Sequence, residues 1–148
     1  MIDEIKVLKE IRKIHKESKE INMLLFVYVI KAVFRSYTDS KPVLYASKAA
    51  KEKAKELNID LTKMTWKNQN KFDPKRKIFH YEHCNPVKEL REATLNTDEN
   101  IEKILKKDIV CWILKTENQK LDKCYKDNRP GGWKKCYKEC GIEYTKNK

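Results

Sequence analysis

Two short segments rich in aromatic and β-branched residues interrupt a chain whose remaining pattern is that of amphipathic helices. These segments are residues 78–83 (IFHYEH) and 108–114 (DIVCWIL). Their length and composition are typical of short strands, and the second is apolar enough to be buried. The sequence therefore predicts an α+β protein that is mostly helical and built around a small ββα-like centre.

The remaining elements are predicted to be helices. Apolar residues recur at spacings of three in residues 2–20 with lysine and glutamate between them, and the pattern continues into 21–36. This predicts a long N-terminal helix, or two helices joined near Asn22. Composition favours a helix over 43–57. Further helices are expected over 87–95, from Thr97 through Leu105, from Thr116 with Gln119 completing a capping box, and over 133–140 up to Gly141.

The length of 148 residues suits a single domain, with a helical part in 1–70 and the ββα-like part and C-terminal helix in 71–148. The most apolar stretch, residues 21–30, is far shorter than the roughly 20 residues that cross a bilayer, so no membrane span is expected. Five cysteines are an odd number and do not suggest a disulfide framework. We therefore expect a reducing, cytoplasmic location.

The charge balance favours a polyanionic partner. There are 34 lysine and arginine residues against 22 acidic ones, a formal charge of +12. Such a charge attracts phosphate backbones, although a general lysine bias would produce the same composition. The candidate contacts lie around Trp66 and are Lys67, Lys71, Lys75, Arg76 and Lys77. A second basic set comprises Lys123, Lys126, Arg129, Lys134 and Lys135. Trp66 is either a surface for stacking an unpaired base or a core residue.

Residues 79–86 (FHYEHCNP) concentrate groups suited to acid–base chemistry. His80 and His83 face opposite sides of a strand, and of the two His83 is the candidate functional residue. Followed by a second strand and a helix from Thr116, the segment resembles the His-Me finger, or HNH, nucleases over residues 78–122. The resemblance implies that His83 is the general base and that Glu82 and Asn118 hold a divalent metal such as Mg²⁺. A neutral imidazole can deprotonate water, and the cation can neutralise charge that develops on the phosphate.

Three functions follow from these patterns. The first is a metal-dependent endonuclease that acts on nucleic acid, DNA rather than RNA. The second is a non-enzymatic module that binds nucleic acid or a nucleoprotein, in which His80, Glu82 and His83 only hydrogen-bond at a sheet edge. The third is a structural zinc domain, in which Cys136 and Cys140, one helical turn apart, are joined by Cys124 or Cys84. Buried, unreactive thiols are the simpler explanation of these cysteines.

Overall fold

Four short strands are interspersed among the helices along the described part of the chain. A computed structural model describes residues 3–18, 23–39 and 41–148. Its α-helices and strands, in chain order, are α1 (Glu4–Glu17), α2 (Met23–Asp39), β1 (Tyr45–Ser47), α3 (Lys48–Glu56), α4 (Gln69–Phe72), β2 (Phe79–His83), α5 (Val87–Asn96), α6 (Ile101–Lys106), β3 (Val110–Leu114), α7 (Lys115–Tyr125), α8 (Trp133–Glu139) and β4 (Tyr144–Lys146), with a single 3-10 turn (Pro74–Arg76) between α4 and β2.

The chain forms two compact units, each of which is discontinuous in sequence. The helical unit comprises Met1–Thr38 and Val87–Asp108, and the sheet unit comprises Asp39–Pro86 and Ile109–Lys148. The boundary expected near residue 70 therefore falls inside the sheet unit. The segment between the two predicted strands contributes its helices to the helical unit.

The helical unit buries the apolar stripes that the sequence periodicity indicated. Its core includes Leu8 and Ile11 of α1, Ile30 and Phe34 of α2, and Ile104 of α6. The described N-terminal residues form two helices, and Asn22, the expected junction, lies outside the described residues. Within the described ranges no helix is both long and apolar enough to span a membrane.

The sheet unit is organised by a four-stranded mixed sheet with the strand order β2-β3-β1-β4. Strand β3 pairs antiparallel with β2 and parallel with β1, and β1 pairs antiparallel with β4. One face packs on a core that includes Ala50 of α3, Met64, Phe79 and Trp112. The other face packs on a core that includes Ile113, Leu121 of α7, and Trp133 and Tyr137 of α8.

The two predicted strands and the helix that follows the second one are confirmed, but the sheet has four strands where two were expected. The prediction of a helix over 43–57 is wrong at its start, because residues 45–47 form β1 and α3 begins only at Lys48. The hydroxyl of Ser47 accepts a hydrogen bond from the Ala50 N–H at 3.0 Å and so caps α3. Pairing with β3 and β4 outweighs the helix-favouring composition here.

The capping box expected at Thr116 and Gln119 is wrong: α7 has its N-cap two residues earlier, and because leucine has no side-chain acceptor only the carboxylate half of such a box forms. Leu114 is the N-cap residue of α7, and the carboxylate of Glu117 accepts a hydrogen bond from the Leu114 N–H at 2.8 Å. The same oxygen accepts a hydrogen bond from the Ser47 hydroxyl at 2.6 Å. Because β1 and β3 are parallel, this buried contact joins the starts of α3 and α7 at one edge of the sheet.

Candidate functional site

The side chains of β2 alternate between the two faces of the sheet. Phe79, Tyr81 and His83 share one face, and the ring of His83 lies 5.5 Å from that of Tyr81. His80 and Glu82 lie on the other face, towards the core that includes α7 and α8. The two residues expected to cooperate, Glu82 and His83, are therefore on opposite faces.

Glu82 is the centre of a buried ionic cluster. The Arg129 guanidinium donates from Nη2 to Glu82 Oε1 at 2.5 Å, and the side chains are 5% and 8% exposed, respectively. His80 Nε2 donates to Glu82 Oε2 at 3.1 Å. Arg129 also donates from Nη1 to the main-chain oxygens of Lys126 and Asn128, so the cluster fixes the turn that follows α7.

The cluster keeps Glu82 ionised. Burial raises the pKa of Glu82, but the hydrogen bond from His80 and the charges of Arg129 and His80 outweigh this effect. The pKa of Glu82 therefore lies below its ordinary value of 4.5. His80 is 28% exposed, and its Nε2 is bound to the carboxylate.

The structure gives Glu82 and Asn118 hydrogen-bond partners of their own and places Glu82 and His83 on opposite faces of the sheet. Both carboxylate oxygens of Glu82 are occupied by His80 and Arg129. Asn118 lies on α7, where its amide donates to Asp122 Oδ2 at 3.1 Å. Glu82 consequently does not fit the role of a metal ligand beside His83. Within the described ranges, no group of three or more His, Cys, Asp or Glu side chains is placed to hold a metal ion.

A rigid basic loop precedes β2. The buried carboxylate of Asp73 accepts hydrogen bonds from the main-chain N–H groups of Lys77, Ile78 and Phe79 at 2.9–3.1 Å. This arrangement fixes the end of the basic loop, residues 71–77, which begins in the last two residues of α4 and has Lys75 in the left-handed region at φ 59°. Lys67, Lys71, Lys75 and Lys77, four of the expected contacts, are all exposed.

Trp66 and Arg76 stack on each other. The Arg76 guanidinium lies 3.4 Å from the centre of the Trp66 ring and donates to the Trp66 carbonyl at 2.8 Å. Trp66 also contacts the ring of Tyr81, at 5.6 Å. The half-buried indole is thus part of the packing at the edge of the core. Arg129, which was expected on the basic surface, is buried by its ion pair with Glu82.

Lysines flank the strands at one edge of the sheet. The carboxyl ends of β1 and β3 and the amino ends of β2 and β4 meet at this edge. Lys48 follows β1, Lys115 follows β3, and Lys77 lies two residues before β2. The amino termini of α3 and α7, which carry the positive ends of the helix dipoles, begin there too. We call this set the basic edge.

The excess positive charge is concentrated in one unit. The sheet unit has 21 lysine and arginine residues against 11 aspartate and glutamate residues, a formal charge of +10. The helical unit has 13 against 11, or +2. Moreover, three of the acidic side chains of the sheet unit, Asp73, Glu82 and Glu117, are buried. The exposed surface of that unit is therefore strongly basic.

Comparison with known proteins gives no relative for this chain. No protein-family model matches it, and neither the curated proteins nor the solved structures contain a significant match.

The buried cluster predicts a specific dependence of stability on pH. Because the folded-state pKa of Glu82 is lowered, its contribution is complete above about pH 4.5 and is lost as the pH falls through the lowered value. Glu82→Gln leaves Arg129 buried without its counter-charge, which should cost about 3–5 kcal/mol at pH 7. In urea unfolding, the difference between the native chain and this variant should shrink with acidification below pH 4.5.

Glu52→Gln is the control for that measurement, because Glu52 is exposed on α3. This variant should change the free energy of unfolding by less than about 0.5 kcal/mol. Equal stabilities of the native chain and Glu82→Gln at pH 7 would show that the ion pair has no net role in folding.

Proposed function

We propose that this protein is a nucleic-acid-binding module that contacts phosphate groups through the basic edge and basic loop of its sheet unit. The concentration of +10 of the total +12 charge in that unit carries the proposal. A field of this kind drives association by release of counterions from the nucleic acid. The partner we propose is DNA, with RNA as the second possibility.

The geometry of the loop supports the proposal. The Asp73 carboxylate fixes the main chain from Lys77 to Phe79, and the Asp73 carbonyl accepts from the Arg76 N–H at 2.8 Å, so Lys75 and Lys77 flank or belong to a hydrogen-bonded turn. Lysines held by an ordered backbone lose less conformational entropy on binding than lysines on a disordered tail. The charges of the loop and of the basic edge add to the positive ends of α3 and α7. Together they favour phosphate over neutral partners.

Metal-dependent cleavage is the alternative function, and it has weaker support. The antiparallel strands β2 and β3 followed directly by α7 reproduce the order of elements that the resemblance implied. However, Glu82 is engaged by His80 and Arg129, and His83 lies on the other face of the sheet. A binding module requires none of these residues to converge.

Charge reversal tests the proposed surface. Lys75→Glu with Lys77→Glu should weaken binding to a DNA duplex about tenfold or more at 50 mM salt. The slope of log affinity against log salt should become shallower by nearly two, because about two phosphate contacts are lost. The control, Lys103→Glu with Lys106→Glu on α6, makes the same change in charge in the helical unit. Fluorescence anisotropy from about 50 to 200 mM salt measures the affinity and the salt slope of each variant.

For the native chain, an affinity that does not change with salt, or the absence of any binding at 50 mM salt, would contradict the proposal. Equal losses in the loop variant and in the α6 control would show that total charge matters and that this surface does not. The melting temperatures of both variants should stay near that of the native chain, because exposed charges contribute little to stability.

A cleavage assay separates the two functions. We expect no degradation of DNA that depends on Mg²⁺ and is stopped by EDTA, and no effect of His83→Ala on binding. His80→Ala serves as a comparison, since His80 is the histidine that contacts Glu82. Metal-dependent cleavage that His83→Ala abolishes while His80→Ala leaves it intact would establish the nuclease function instead.

A further inference from the structure

A cleft of about 700 Å³ opens at the β4 end of the basic edge. It lies within the sheet unit, between the first turns of α3, helix α8 and the segment that leads into β4. Its volume is within the range of about 300–1,000 Å³ that is typical of ligand sites. The residues lining it are Lys48, Lys51, Glu52, Lys134, Lys138, Gly141, Ile142, Glu143, Tyr144 and Thr145.

The charges of the cleft favour an anionic group. Four lysines line it against two glutamates. Lys51 donates from Nζ to Thr145 Oγ1 and to the Lys146 carbonyl, each at 2.6 Å, which leaves its positive charge without a counter-charge there. The Nζ atom of Lys48 lies 3.8 Å from Oε2 of Glu143. Lys134 and Lys138 are one helical turn apart on α8, and neither contacts a carboxylate within the described part of the chain.

The cleft also has an apolar, aromatic component. Ile142 is 3% exposed, and Tyr144 is half-buried. The Tyr144 ring is held by three other rings, with centroid distances of 4.8 Å to Trp133, 5.5 Å to Tyr45 and 5.8 Å to Tyr137. A ring fixed in this way can contact the face of a planar ligand without first losing its own rotational freedom.

The cleft and the basic loop lie at the same edge of the sheet. The loop precedes β2 and the cleft adjoins β4, so the two lie at the same edge, three strand spacings apart. At about 4.8 Å per spacing this is about 14 Å. At the spacing of about 3.4 Å per phosphate that one strand has in stacked B-DNA, about four nucleotides cover that distance, and an extended unpaired strand covers it in fewer.

We propose that this cleft is a subsite for an unpaired nucleotide of single-stranded nucleic acid. Lys134 and Lys138 bind the phosphate, and the base packs against the half-buried ring of Tyr144. The inference rests on the proposed function and specifies its ligand further, because a base paired within a duplex cannot enter a cleft of this kind.

The test compares a single-stranded oligonucleotide with a duplex of the same length, using fluorescence anisotropy with the full chain at 50 mM salt. The variant is Lys134→Glu with Lys138→Glu, and the control is again Lys103→Glu with Lys106→Glu on α6, which do not line the cleft. The cleft variant should bind the single strand about tenfold more weakly than the control does. The two variants should bind the duplex equally.

Equal effects of the cleft variant and the control on the single strand would overturn the subsite while leaving salt-dependent binding intact. A native chain that binds neither oligonucleotide would overturn both the subsite and the proposed function. Lys134→Gln with Lys138→Gln repeats the test with a milder change if charge reversal disturbs folding. A mononucleotide that binds as tightly as the oligonucleotide would assign the cleft to a free nucleotide instead of a strand.

Discussion

The parallel pairing of β1 with β3 is the constraint on which the rest of the sheet unit depends. It places the ends of both strands, and therefore the starts of α3 and α7, at one edge of the sheet. The buried hydrogen bond from Ser47 to Glu117 joins these two starts. Lys48 and Lys115, which are far apart in sequence, consequently lie at the same edge of the sheet. The positive ends of the two helix dipoles lie there too.

The sheet unit uses several of its acidic side chains internally and presents its lysines to solvent. Asp73 fixes the basic loop, Glu117 joins two helix starts, and Glu82 pairs with Arg129 in the core. Each of these carboxylates has a structural partner, so it contributes little to neutralising the surface. The same contacts that stabilise the unit thus leave its exterior strongly basic, which is the property that we connect with binding to phosphate.

Helices and strands that are determined by their local composition could be predicted from the sequence. Those that form only by pairing with residues far away in the sequence could not. Strands β2 and β3 follow from local aromatic and β-branched composition. Strand β1 has only three residues beside a helix-favouring run, and it forms through pairing with β3 and β4. Glu82 and His83 are adjacent in sequence, but neighbouring residues of a strand point to opposite faces of the sheet. This alternation is readable from the sequence and would have predicted that the two side chains are separated. The ion pair of Glu82 with Arg129, 47 residues away, had no sequence signal.

Hydrogen exchange of the full chain with and without single-stranded DNA tests most directly whether the sheet unit carries the binding. If the sheet unit binds, DNA should slow exchange in the basic loop, residues 71–77, at the start of α3, and in the segment 134–145 around the cleft. Exchange in α1, α5 and α6 of the helical unit should be unchanged. Protection confined to those three helices, with the sheet unit unaffected, would contradict binding through the sheet unit.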